Sequence, residues 1–245
     1  MLSLRKFLQK LFEHNKRLAI YTAVSGEYDK LKRPIFINNN CDYICFTDNE
    51  NIKSDFWQIR KMEKSDLDTV RKARRYKILP HLYLPEYEYS LWVDGNYEII
   101  GDVEDFIKKY ARQYPMMCLI HPDRDCVYDE AKACIELNRD KSEVISKQMD
   151  KYVSENYPEN NGMIASGILF RKHNNHQVIK VASDWWREVE NHSRRDQLSF
   201  NYVCWKNDFN YDTCHLSCYG NEYFKREEHS IDIYIVAPAP NRVLV

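Results

Sequence analysis

Ser90-Leu91-Trp92-Val93-Asp94-Gly95-Asn96 is an apolar run that stops abruptly at Asp-Gly-Asn. A short Trp- and Val-rich run bounded by glycine reads as a buried strand, and ligands of open α/β sheets bind beyond the carboxyl ends of such strands. An aspartate there, with a second side-chain oxygen two residues on and a glycine between, can hold a divalent cation against a diphosphate. Asp-Gly is also a hairpin signal, and a hairpin is the commoner use of the dipeptide. The seven residues alone fit both readings.

The chain on either side repeats the pattern of an apolar run followed by polar groups. Leu18 to Val24 reads as a strand ending at Ser25-Gly26-Glu27-Tyr28-Asp29, and Tyr43 to Phe46 as another ending at Thr47-Asp48-Asn49. Asp68 to Leu79 reads as a helix stopped by Pro80, its polar surface crowded by Arg71, Lys72, Arg74, Arg75 and Lys77. Positioned cations of this kind can neutralise a leaving diphosphate, although a charge run is usually only solvated. Met116 to Ile120 predicts a strand that delivers His121, Arg124 and Asp125 to the same cleft, with a helix over Tyr128 to Asn138 after it. Glu130 falls near that helix's start, where the helix dipole favours a carboxylate. Before the strand ending at Arg171, Gly162 and Gly167 permit either close backbone approach to a ligand or a plain turn. A helix around Val178 to Glu190 carries Trp185 and Trp186 and is expected to pack on the sheet. Asp196 follows it, as a helix cap or as a site residue.

Composition sets the limits. A chain of 245 residues, 44% of them apolar, can bury one substantial α/β core, and no stretch rich in Pro, Gly or Ser divides it. The expected organisation is an amphipathic basic helix over 1–17 and one domain over 18–245. In the helix, Leu4, Phe7, Leu8, Leu11 and Phe12 share one face, and Arg5, Lys6, Lys10, Lys16 and Arg17 surround the other. That face suits an anionic membrane surface, or docking on the domain or a second subunit. A net charge of -1 argues against a nucleic-acid partner. Eight cysteines without a signal-peptide pattern suggest buried thiols in a reducing compartment, hence a cytoplasmic protein, peripheral on the inner face of the membrane if the helix binds there. The Cys41/Cys45 and Cys214/Cys218 spacings also fit zinc, with His215 inside the second pair, but lack the surroundings of a closed site.

Arg71 to His81, Trp92 to Asn96, His121 to Glu130 and Ser193 to Phe200, taken in that order, resemble the glycosyltransferase-like domain family related to plant mucilage-synthesis proteins, formerly a domain of unknown function. The resemblance covers about Arg17 to Tyr219. It implies a GT-A-like α/β fold, a mixed but mainly parallel sheet flanked by helices. The activity it implies is transfer of a sugar from a nucleotide sugar, UDP-linked by resemblance, to a hydroxyl of a glycan or lipid-linked glycan, as in bacterial surface glycan synthesis. Donor contacts are then expected at Thr22, Gly26, Tyr28, Asp48, Arg75, Lys77, Asn96, His121, Arg124, Gly167 and Gln197, with Asp94 and Asp196 as catalytic residues. The superfamily's Asp-x-Asp implies Mn²⁺ or Mg²⁺ on Asp94, Asn96 and a late histidine, His215 or His229. Asn96 departs from that motif, since an amide oxygen brings no charge to a hard cation. A metal-dependent hydrolase using the same cleft and a non-catalytic nucleotide- or carbohydrate-binding protein are the competing classes.

Overall fold

In the computed structural model, which describes residues 18–27 and 29–228, the Trp92 run is the middle strand of a seven-stranded sheet. Its strands are β1 (Leu18–Val24), β2 (Cys41–Thr47), β3 (Gln58–Lys61), β4 (Tyr89–Val93), β6 (Met116–Ile120), β7 (Ile164–Arg171) and β8 (Asp212–Cys214), in the order β3-β2-β1-β4-β7-β6-β8. A separate antiparallel ribbon pairs β5 (Tyr97–Ile99) with β9 (Phe224–Arg226). All neighbours in the large sheet are parallel except β7, which runs against both β4 and β6. Val93 therefore sits opposite Ile168, and Ile120 opposite Ile164, so β7 begins at the edge where β4 and β6 end. The chain winds outward from β1 to β3 on one side and from β4 on the other, which makes the β1/β4 boundary the point where an open sheet leaves a crevice. This is the mixed, mainly parallel sheet flanked by helices that the sequence led us to expect.

The strands are continuous apolar runs because both faces of the sheet are covered. Along β1, Ala19, Tyr21 and Ala23 belong to one core, and Leu18, Ile20 and Val24 to the other. The first core lies under α1 (Thr69–Ile78), α4 (Val127–Glu136), α5 (Ser142–Ser154), α6 (His176–Asn191) and α7 (Gln197–Lys206), with the short α2 (Pro80–Tyr83) at its margin. The second lies under α3 (Val103–Tyr110) and the β5/β9 ribbon. Asp68 starts α1 by accepting the Val70 and Arg71 N–H groups at 3.0 Å, and Pro80 ends it. Trp185 and Trp186 are core residues of α6. In α7 every residue from Leu198 to Cys204 is buried, as a helix sunk in the core requires. All eight cysteines are buried free thiols. Among the described residues no helix is long and apolar enough to cross a membrane. The expected helix over 1–17, Tyr28 and His229 lie outside the described residues.

Beneath the sheet's first face is a polar pocket of the core. Arg171 is fully buried and donates to the Lys77 carbonyl at 2.7 Å and to the Tyr21 hydroxyl. His173 nearby is fully buried with its Nε2 2.9 Å from the Leu84 carbonyl. Burial, with Arg171 and His81 adding to it, pushes His173 down to about 4. His81 is lowered as well, by burial and by Arg171. The unfolded chain therefore takes up protons that the fold refuses, and stability is lost as pH falls from about 6.5 towards 4. Thermal midpoints read from pH 7.5 to 4.5 should decline, and His173→Asn should flatten that decline even if it lowers the plateau. An unchanged slope would mean other groups set the acid sensitivity.

Candidate functional site

Asp94 and Gly95 do not form the hairpin that Asp-Gly so often signals. Both central residues of such a turn need positive φ, and the positive-φ residues of the described chain include none of Asp94, Gly95 or Asn96. Moreover β4 does not pair with β5, which joins β9 instead. The stretch is a single turn closed by Tyr97 N–H to the Asp94 carbonyl at 2.9 Å, and Asp94 N–H donates to the Gly167 carbonyl at 2.9 Å. Gly95 is needed for space: a Cβ there would stand 3.0 Å from an Asp29 carboxylate oxygen. At Gly167 a Cβ would come within 2.8 Å of the Tyr97 ring. The small residue thus lets β7 lie against the turn.

A cavity of about 450 Å³ opens over this turn, at the carboxyl ends of β1, β4 and β6 and the start of β7. One wall comes from Ser25, Asp29, Ala73 and Arg74, and the floor from Trp92, Asp94, Asn96 and Gly167. The opposite wall comes from His121, Arg124, Glu130, Arg139, Arg195 and Gln197, with Arg226 reaching in from β9 and Tyr219 from the loop before it.

Below the floor is a closed set of charges. Lys77 is fully buried, its Nζ 2.7 Å from Asp196 Oδ2, 3.0 Å from Ser166 Oγ and 3.4 Å from Asp94 Oδ1. Asp196 is also fully buried; Ser166 Oγ donates to it at 3.0 Å, and Arg74 Nε lies 3.2 Å from its other oxygen. Burial alone would raise the Asp196 carboxyl, but Arg74 and Lys77 outweigh it and hold the group well below the usual carboxylate range. Trp185 Nε1 fixes the backbone by donating to the Asp196 carbonyl at 2.8 Å. Asp94, by contrast, faces the cavity. Trp92 Nε1 (2.6 Å), Lys77 and Arg74 (3.5 Å) all converge on its Oδ1.

The structure redistributes several expected roles. Lys77 lies under the cavity and not on its wall, so it cannot meet a diphosphate directly. Arg75 points away, towards Glu63 at 3.7 Å and over the Tyr83 ring. Arg74 stands in the cavity in its place: residues three apart share a helix face and residues two apart do not, so Lys77 goes with Arg74. Asp196 occupies the N-cap position of α7 without capping it, its backbone being helical and its side chain making no cap hydrogen bond. Asp48 accepts from Ser25 Oγ (3.0 Å) and Gly26 N–H (2.8 Å) and pairs with Lys72 (3.2 Å). These contacts outweigh burial and lower its pKa. Its visible task is to shape the Ser25–Gly26 turn, in which Gly26 has φ of 63°. Thr22 is buried within β1 and does not line the cavity.

His121 lines the far wall with both ring nitrogens engaged. Nδ1 accepts the N–H groups of Asp123 and Arg124, which leaves Nε2–H to face Glu130 at 3.4 Å. Burial, reinforced by Arg124 and Arg195 and opposed by Glu130, lowers its pKa, so it is neutral near pH 7. Arg124 pairs with Glu130, and Gln197 Nε2 donates to the Ile164 carbonyl at 2.8 Å, placing both at the cavity. Asn96 is nearly buried and donates to the Glu227 carbonyl at 3.0 Å. Arg74, Arg195 and Arg226 were not singled out from the sequence as site residues. Helical period alone would have found Arg74. Arg226 reaches the site only because β9 pairs with β5, placing it opposite Tyr97.

Of the expected cation ligands, Asp94 and Asn96 both line the cavity, and His229 lies outside the described residues. His215 is exposed beside a second cavity with Tyr110, Arg112 and Asp212, away from Asp94. Among the described residues no group of three or more His, Cys, Asp or Glu side chains is placed to hold a metal ion, at Asp94 or at the cysteine pairs. The Asp94 oxygen that Trp92 holds already faces Lys77 and Arg74, and such cations compete with a hard metal ion. The described residues therefore do not fit Mn²⁺ or Mg²⁺ by themselves.

A turn-borne carboxylate on the middle strand of a mixed sheet, beneath a cavity rich in arginine, is the setting in which the family of this chain becomes clear. The family model described as the TOD1/MUCI70, glycosyltransferase-like domain matches residues 4–229, and the chain belongs to that family. A curated relative, the probable hexosyltransferase MUCI70 of Arabidopsis thaliana, is 23% identical over 214 residues, covering 76% of this chain and 37% of the relative. The apo structure of the WbbM bifunctional glycosyltransferase aligns with 84% of this chain and 39% of its own, at 9% identity and a TM-score of 0.46. The chain thus spans little more than a third of the proteins it matches.

Proposed function

We propose that this domain is a glycosyltransferase that moves a sugar, a hexose by analogy with the plant relative, from a nucleoside diphosphate carrier to a hydroxyl of a glycan or lipid-linked glycan. The observation that carries the reading is the cavity over Asp94, at the β1/β4 boundary, with Arg74 and Arg226 in its lining. The nucleoside would lie towards Ser25 and Asp29, as the carboxyl end of β1 suggests. The diphosphate would lie over the floor, where Arg74 and Arg226 can meet its charge. In the reaction the acceptor oxygen bonds to the anomeric carbon, the bond from that carbon to the diphosphate oxygen breaks, and the hydroxyl proton goes to a base. Asp94 is the floor carboxylate placed to orient the donor sugar or take that proton. Asp196 and Lys77 act through Asp94, as its buried support. Mn²⁺ or Mg²⁺ at Asp94 would need further donors, which no group of three or more His, Cys, Asp or Glu among the described residues supplies. Action in bacterial surface glycan synthesis, in the cytoplasm or at the inner face of the membrane, completes the proposal.

Titration with a panel of nucleotide sugars, with Mn²⁺ and with chelator, followed by mass analysis of products with glycan acceptors, tests the reading. Sugar transferred to a hydroxyl supports it. Release of free sugar alone would make the protein a hydrolase, and binding without turnover a binding module.

The arginine assignment has its own test. Arg226→Ala should weaken UDP about tenfold while leaving uridine binding unchanged, since only the diphosphate presents the charge it would meet. Arg74→Ala should do the same at some cost in stability, and Arg75→Ala should do neither. Equal losses for UDP and uridine would make these arginines packing residues.

A further inference from the structure

The cavity wall opposite Ser25 and Asp29 has more cationic groups than a donor centred on Asp94 would use. Arg124, Arg139, Arg194 and Arg195 all line the cavity. Arg124 is matched by Glu130. Arg194 lies 3.8 Å from Asp140, a carboxylate outside the lining that also accepts Ser193 Oγ and the Arg194 N–H at 2.8 Å. Arg195 is different: among the described residues it has no carboxylate at ion-pair distance. Its Nη2 donates to the amide oxygen of Gln197 at 3.2 Å, and its Nε is buried without a hydrogen-bond acceptor. The neighbouring Asp196 carboxylate is taken up by Lys77 and Arg74. Asp123, the other carboxylate of this wall, accepts the Tyr219 hydroxyl at 2.8 Å. His121 is held neutral and adds no charge, as described above.

A buried guanidinium N–H without an acceptor is costly, and the planar fork of arginine matches the oxygens of a carboxylate or phosphate. Relative to Asp94, this wall lies on the β7/β6 side of the sheet and the nucleoside end on the β1 side. Resting on the transferase reading above, we propose that this wall is the acceptor subsite and that it recognises an oxyanion, carboxylate or phosphate, carried by the acceptor glycan. Arg195 supplies a guanidinium that has no carboxylate partner among the described residues, and Arg139 and Arg194 line the same cavity. The enzyme would then select acidic acceptors over neutral ones of the same length.

Full-length protein saturated with UDP, so that the donor end is filled, would be titrated calorimetrically with three probes: a glucuronic-acid oligosaccharide, a neutral hexose oligosaccharide of equal length, and glucose 6-phosphate. An acidic probe should bind at least about tenfold more tightly than the neutral one and weaken as salt rises. The stronger of the two acidic probes tells carboxylate from phosphate. Arg195→Gln should erase most of that preference while UDP affinity stays within about twofold. Arg139→Gln is a second variant should the first fold poorly, and thermal midpoints report folding for each. Equal binding of acidic and neutral probes overturns the proposal, as does a parallel loss of UDP affinity, which would assign the arginines to the donor's diphosphate. If no nucleoside diphosphate binds at all, the transferase reading itself fails, and that result is distinct from both.

Discussion

Asp196→Asn is expected to lower the thermal midpoint by about 10 °C. The substitution keeps size and shape but removes the charge that Lys77 faces at 2.7 Å in a fully buried setting. Removing one partner of a buried pair costs about 3–5 kcal/mol, because the other charge is left uncompensated. A domain of this size shifts by about 2–4 °C per kcal/mol. Asp94 at 3.4 Å is too distant and too exposed to replace the lost carboxylate. The pH dependence provides a second signature. Because Asp196 is held below its ordinary value, its contribution is present above the unfolded carboxyl's value of about 3.9 and is lost as pH falls through the lower folded value. The variant should therefore lose stability near neutrality and show less additional loss in acid than the parent. Replacing both partners, Lys77→Met with Asp196→Leu, should recover part of the midpoint, since an apolar pair avoids the desolvation of both ions. Calorimetry across pH reads all three. An Asp196→Asn protein as stable as the parent would show that the pair holds nothing together.

Asp94→Asn should give the opposite profile, with little change in midpoint and transfer down by at least about a hundredfold. The amide oxygen can still accept from Trp92 Nε1, and Lys77 keeps Asp196, so the fold retains its main contacts. What disappears is the negative charge that faces the cavity. Single-turnover transfer beside UDP affinity separates the outcomes. Lost transfer with retained affinity places Asp94 at the reacting centre, parallel loss places it on the donor's diphosphate, and no loss makes the turn purely structural.

The fold was legible because its signals are local. Continuous apolar runs such as Leu18–Val24 mark strands covered on both faces, and Asp68 and Pro80 bracket α1. The position of Asp94 was legible for the same reason, since a run that ends in Asp-Gly-Asn places its carboxylate at a strand end. The roles of charged residues were less so. Lys77 reads as solvent-facing in a basic helix, and only a carboxylate delivered from just before α7 makes its burial possible. Arg75 is what the family resemblance implies, whereas the helical period pairs Arg74 with Lys77. Arg195 stands beside Asp196 in the chain, yet its buried Nε and neutral contacts are visible only once β7 and α4 are in place. Arg226 depends on a ribbon pairing that no local pattern announces, and His215 follows the edge strand β8 away from Asp94.

The clasp between Asn96 and Glu227 has a consequence for how the molecule is assembled. Glu227 N–H donates to the Asn96 carbonyl at 2.9 Å, and the Asn96 amide donates back to the Glu227 carbonyl across 131 residues of chain. Lys77 likewise waits for a carboxylate that is made more than a hundred residues later. Contacts of such separation form late, after local helices and the β1/β2 pair. A nascent chain that has reached β6 holds the sheet's first half with a lysine it cannot yet bury and a turn it cannot yet fasten. The turn that carries Asp94 is therefore fastened only after Glu227 has been made, and a chain cut before Phe224 would keep much of its sheet while losing the grip on that turn.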